Sequence, residues 1–155
     1  MRVLLGLLSH LLVFAAGIGL GIYALPIITQ PPSPDISQIK ALSHSALYSA
    51  TFDKARQDSD FLHWGEGSVS ITPDAIGFIG QLAPGPDYKL YLSPQYVESE
   101  ASFLDLQAEM VLIGDVNTFE RFYLTIPAGV HVEEYNTVIV WCETFKEFIT
   151  SARYK

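Results

Sequence analysis

An all-β domain, an antiparallel β-sandwich or barrel-like fold preceded by one N-terminal transmembrane helix, is predicted by three observations. Residues Val3 to Ile28 carry no charge. Beyond them, apolar and polar residues alternate in short runs spaced by turn residues at intervals of about 8 to 12 positions. No amphipathic run long enough for a core helix interrupts those strands. The organisation that follows is a membrane segment over residues 1–28, a proline-rich linker with a short helix over 29–46, and a β domain over 47–155.

The apolar run is long enough to cross a hydrocarbon core of about 30 Å. A cleavable signal peptide has an apolar stretch of only about 7 to 15 residues before a small-residue processing site. Ala15-Ala16-Gly17 would serve as such a site, yet the run continues through Ile18, Leu20, Ile22, Leu25, Ile27 and Ile28. Cleavage there would leave an adhesive apolar end, so an uncleaved signal anchor is expected. Arg2 and the terminal amine are the only positive charges before the run, and Lys40 is the first after it. The positive-inside rule then keeps the N-terminus cytoplasmic and places the domain in the periplasm or outside the cell. Gly17 and Gly21 have the GxxxG spacing that lets two membrane helices approach, although glycine is common in such helices in any case. All 17 acidic residues lie beyond residue 28, so the exported part is acidic. That excludes nucleic acid as a partner class and leaves solubility as the simplest reason for the charge.

Pro31, Pro32 and Pro34 stop the first helix and form a stiff spacer. Asp35 caps a short helix whose stripe is Ile36, Ile39 and Leu42, expected as a flap or linker and not as a core element. Strand-like alternation begins at Ala46 and runs to Phe52, followed by a charged turn. Ser68–Thr72 and Ala75–Gly80 are strands, with Gly77 and Gly80 marking a bulge or close packing. Asp87–Ser93 alternates strictly, with Tyr88, Leu90 and Leu92 on one face and Lys89 and Tyr91 on the other. Residues 94–108 read as a connection with about one helical turn near Phe103. Strands over 109–113 and 121–126 follow. Thr137 to Cys142 is the most apolar strand and is expected to be covered on both faces, with Val138, Val140 and Cys142 on one side and Ile139 and Trp141 on the other. Phe145, Phe148, Ile149 and Ala152 are expected to close the chain on the core.

Several segments taken together resemble the DM-thirteen domain: His63 with Gly65 and Gly67, the turn and strand Gly85 to Ser93, Ile126-Pro127, and Val138 to Cys142 with Phe145. The resemblance covers residues 47–153 and departs from the family pattern at Asn117 to Glu120, where a glycine-containing turn is usual. It implies a small β-rich module of exported proteins with a redox or electron-transfer role, Cys142 matching the suspected functional cysteine and Asp87 the acid after the proline. A redox partner in the membrane or envelope is implied with it.

Cys142 is the sole cysteine, so no disulfide can form within the chain. It is therefore a packed small hydrophobe, a link to another chain, or a ligand or reactive thiol. As a ligand it would be joined by His63, with His131 and Met110 as further donors; such a set suits copper, and a thiolate or histidine also holds haem iron. No CxxCH motif and no close His/Cys spacing supports either cofactor. Trp141, Tyr91 and Tyr123 could relay electrons, or simply pack. No nucleophile motif points to a hydrolase, and Glu133-Glu134 read as a solvated turn. Two functions remain open: a redox module centred on Cys142 with His63 and Asp87 in support, and a non-catalytic binding or scaffold domain of the envelope.

Overall fold

The alternating segments pair into two four-stranded antiparallel sheets in the computed structural model, which describes residues 1–155. The chain opens with α1 (Arg2–Thr29), long and apolar enough to span a membrane and equally of the kind found in signal sequences. The prolines end it as expected, and Asp35 caps α2 (Ile36–His44) by accepting from the Ser37 N–H at 2.7 Å. Eight strands follow: β1 (Tyr48–Phe52), β2 (Gly65–Ile71), β3 (Ala75–Leu82), β4 (Tyr88–Ser93), β5 (Val111–Val116), β6 (Arg121–Thr125), β7 (Thr137–Cys142) and β8 (Glu147–Arg153). The connection from β4 to β5 contains α3 (Glu100–Leu106).

One sheet has the order β1-β2-β3-β6 and the other β5-β4-β7-β8. Their facing sides form a continuous core that includes Phe52, Val69, Phe78, Leu90, Val138 and Val140. The domain is a β-sandwich, the first of the two architectures expected. α2 covers the outer face of the first sheet, where Ile39 and Leu42 are buried. Gly77 explains how it fits: a Cβ there would come within 2.9 Å of Ile39. Gly80 lies opposite Gly67 in the β2–β3 register, and a Cβ on Gly80 would collide with the Glu66 carbonyl. The two strand glycines thus serve close packing; β3 carries no bulge.

The outer face of the second sheet is covered by α3. Its N-terminus is closed by a capping box in which Ser99 and Ser102 satisfy each other's backbone N–H. Phe103 from α3 lies flat on Trp141 of β7, with ring centroids 3.9 Å apart and planes 6° apart. Tyr91, Val97, Ile139 and Phe148 complete this smaller cluster. The connection expected to hold about one helical turn near Phe103 therefore carries a seven-residue helix that covers this face. Phe145 departs from expectation in the opposite sense: it sits in the turn between β7 and β8, 49 % exposed, and leaves closure of the core to Phe148, Ile149 and Ala152. That turn needs Lys146 at φ 58°, which resets the alternation and throws Phe145 outward.

The strand registers place four connections at one end of the sandwich: residues 53–64, 83–87, 117–120 and 143–146. This end adjoins the C-terminal half of α1.

Candidate functional site

Alternation along β7 sends Cys142 inward beside Val138 and Val140, as the sequence requires. Being the last residue of the strand, it stands where the core meets the loop end. Register pairs it with Tyr88, the first residue of β4. A register shift between β7 and β8 near Val140 and Trp141 keeps both Phe148 and Ile149 buried, on opposite faces. Ile149 thereby joins Cys142 in the wall of a cavity of about 250 Å³. The rest of the wall comes from Leu62, His63, Pro84, Gly85, Pro86, Tyr88 and Phe145, with Gly19, Ile22 and Tyr23 of α1 along one side.

Only 2 % of Cys142 is exposed, and its Sγ donates to the Pro86 carbonyl at 3.1 Å. Burial pushes the thiol above its ordinary value of 9.0, against the opposing pull of the Phe145 and Thr144 N–H groups. The resting group is a neutral thiol. Burial likewise raises the Tyr88 phenol, which stays protonated beside it.

His63 shares this wall, so the structure brings together the two residues that the sequence could only list. Its position is fixed by Asp60. The Asp60 carboxylate accepts from the N–H groups of Leu62 and His63 at 2.6 and 2.8 Å, and lies 3.1 Å from His63 Nδ1. Burial acts to raise the Asp60 carboxyl, but the bonds from His63 and the two backbone groups hold it below the usual range. With Nδ1 engaged, Nε2 is the ring nitrogen left for a ligand or a proton.

Asp87 stands at the rim and outside the wall. Its Oδ1 is 2.8 Å from Lys89 Nζ, its Oδ2 accepts from Thr144 at 3.2 Å, and its carbonyl accepts from the Glu143 N–H at 3.1 Å. The Lys89 ammonium holds its carboxyl below the ordinary range, and the Asp115 and Asp87 carboxylates push Lys89 up to about 12. Asp87, at φ 56°, thus ties the turn that offers Pro86 to the thiol onto the turn that follows Cys142. It also lines a neighbouring, more polar cavity of about 320 Å³ against the end of α1.

His131 and Met110 are not brought in. His131 is exposed at the start of a short 3-10 turn, and Met110 packs on the opposite side of the second sheet, in the Trp141 cluster. No three His, Cys, Asp or Glu side chains converge as metal ligands. The donor set of Cys142 and His63 therefore does not match the three strong ligands of a cysteine-histidine copper centre. A 250 Å³ cavity is also smaller than the range of about 300 to 1,000 Å³ usual for ligands of drug size, so the wall would have to open to take a haem.

Of the three aromatics named as possible relays, Trp141 and Tyr91 share one face of the second sheet with Phe103 between them, while Tyr123 lies in the other sheet. Trp141 Nε1 is buried without a partner, and Tyr91, edge-on to Phe103 at 5.3 Å, donates its hydroxyl to Glu143. Glu143 in turn accepts from Lys146 Nζ at 2.6 Å. An aromatic series thus runs from the buried Trp141 through Phe103 and Tyr91 to a carboxylate at the surface.

Residues 56–154 match the model of a family described as Electron transfer DM13. No curated protein and no solved structure matches.

Proposed function

The chain belongs to the Electron transfer DM13 family, and from that premise we propose that it is a membrane-anchored, exported domain whose electron-transfer role is centred on Cys142. One observation carries the reading: the sole cysteine stands in the wall of an apolar cavity that also receives His63. A neutral thiol in such a wall suits a step in which electron and proton leave together. The electron passes to a one-electron acceptor on a redox partner in the membrane or envelope. The S–H bond breaks: its proton gives up the hydrogen bond to the Pro86 carbonyl, passes to His63 Nε2 and from there to solvent, and a thiyl radical remains until the reverse transfer of electron and proton restores the thiol. His63 is the proton acceptor, Asp60 orients it, and Asp87 is a positioning residue acting through Pro86 and the β7–β8 turn. α1 is the uncleaved anchor, with its N-terminus in the cytoplasm and the domain in the periplasm or outside the cell.

The scaffold alternative is favoured by the thiol's 2 % exposure and raised pKa, both proper to a packed cysteine. Protein-film voltammetry of the wild type and Cys142→Ala separates the two. The redox reading expects a wave that the substitution abolishes and that moves with pH, as proton-coupled transfer requires. A folded wild type with no such wave makes this an envelope binding domain with Cys142 as packing.

A further inference from the structure

The loop end of the sandwich carries the most exposed large apolar side chain of the β domain, Phe61 at 92 %, together with half-exposed Leu62 and Phe145. Leu62 and Phe145 line the Cys142 cavity, and Phe61 precedes Leu62 in the same connection. Single exposed apolar residues need no explanation, but three gathered at one rim mark a surface of interaction.

The anchor identifies what covers it. About 20 helical residues cross a hydrocarbon core of about 30 Å, so a span that begins at Val3 ends at Ile22. Tyr23 follows, at the level where tyrosines gather between lipid and water. Gly19, Ile22 and Tyr23 are the residues of α1 that touch the Cys142 cavity, so the helix face along it runs from the last turn of that span to its interfacial tyrosine. The boundary of the bilayer and the mouth of the cavity therefore fall at the same level along the helix. The spacer cannot lift the domain away, because Arg121 Nε donates to the Pro34 carbonyl at 3.3 Å and Pro31, Pro32 and Pro34 lie against β5 and β6. Acidic side chains outnumber basic ones in the four connections at this end, so the attraction is apolar and interfacial, not electrostatic.

We infer that the loop end of the sandwich lies on the bilayer that α1 spans, with Phe61, Leu62 and Phe145 seated among the headgroups and the Cys142 cavity opening toward the lipid. This rests on α1 being an uncleaved anchor. A molecule dissolved in the membrane, or an uncharged one that enters it, would reach Cys142 and His63 without crossing water, whereas a charged molecule that cannot enter lipid would be screened from them.

The test uses the full chain in phosphatidylcholine nanodiscs, with Cys142→Ala as background and a nitroxide placed in turn at Phe61→Cys, Phe145→Cys and Ala128→Cys. Ala128 lies at the opposite end of the sandwich. Collision with lipid-soluble oxygen, relative to a water-soluble nickel chelate, is expected to be severalfold higher at positions 61 and 145 than at 128. Equal ratios at all three, with the chain intact and retained in the discs, would overturn the docking while leaving the anchor in place. Loss of the N-terminal segment and release of the domain would instead overturn the anchored reading, and the docking with it. Should Phe61→Cys disturb the loop, Phe145→Cys alone carries the same comparison.

Discussion

The two faces of β7 obey one alternation and meet different fates. Ile139 and Trp141 are sealed beneath α3, where Phe103 stacks on the indole and no cavity remains beside it. Val138, Val140 and Cys142 face the other sheet, and this face ends at an open cavity with the thiol in its wall. Burial is nearly complete on both sides, at 0 % exposure for Trp141 and 2 % for Cys142. What differs is the neighbour: a matched aromatic plate in one case, and loops with empty space in the other. The sealed face is suited to holding the fold together and the cavity face to meeting a partner.

Substitutions on each face should therefore separate stability from redox behaviour. Trp141→Ala is expected to cost the most, about 3–5 kcal/mol, since it removes the stacking plate and leaves a cavity under α3. Chemical denaturation would measure it. Phe103→Ala should cost about 3 kcal/mol by the same assay, because α3 loses its only fully buried side chain. Cys142→Ala should cost only about 1 to 1.5 kcal/mol, since the cavity already deprives the thiol of neighbours on one side. Yet this variant alone is expected to lose the voltammetric wave.

Tyr91→Phe sharpens the comparison at the edge of the sealed face. Burial pulls the Glu143 carboxyl up, but the Lys146 ammonium and the Tyr91 hydroxyl together hold it below its ordinary 4.5. Its contribution to stability is then fully present above that value and is lost as pH falls through the lowered folded-state pKa. Removing the hydroxyl should cost about 1 kcal/mol near neutrality. The difference between Tyr91→Phe and wild type should shrink on acidification below pH 4.5, as denaturation curves at successive pH values would show.

Much of this division could be read from the sequence. Alternation over Thr137 to Cys142 assigned both faces of β7 correctly, and Tyr88, Leu90 and Leu92 fell on the inner side of β4. α3 was under-read because its cap uses Ser102 where a glutamate or glutamine is the usual signal, and because Phe103 is its one buried anchor. Its partner Trp141 belongs to a distant strand, so no local pattern connects them. The meeting of His63 with Cys142 was equally hidden. It depends on the β1–β2 connection folding over the start of β8, and Asp60 fixes it through side-chain bonds that no periodicity encodes. Phe145 lies outside the core, against the expectation from alternation, because the left-handed Lys146 cannot be foreseen from that pattern.

Cys142 is a thiol that a small molecule can reach in the folded protein, unlike the sealed Trp141 face. The rate of alkylation of the folded full chain by N-ethylmaleimide, followed by mass spectrometry across pH and at rising urea below the unfolding transition, tests it directly. Modification without unfolding is expected, at a rate insensitive to urea, that climbs with pH through a midpoint above the ordinary thiol value of 9.0. A rate that instead rises with urea in step with global unfolding would contradict it, and would make both faces of β7 equally closed.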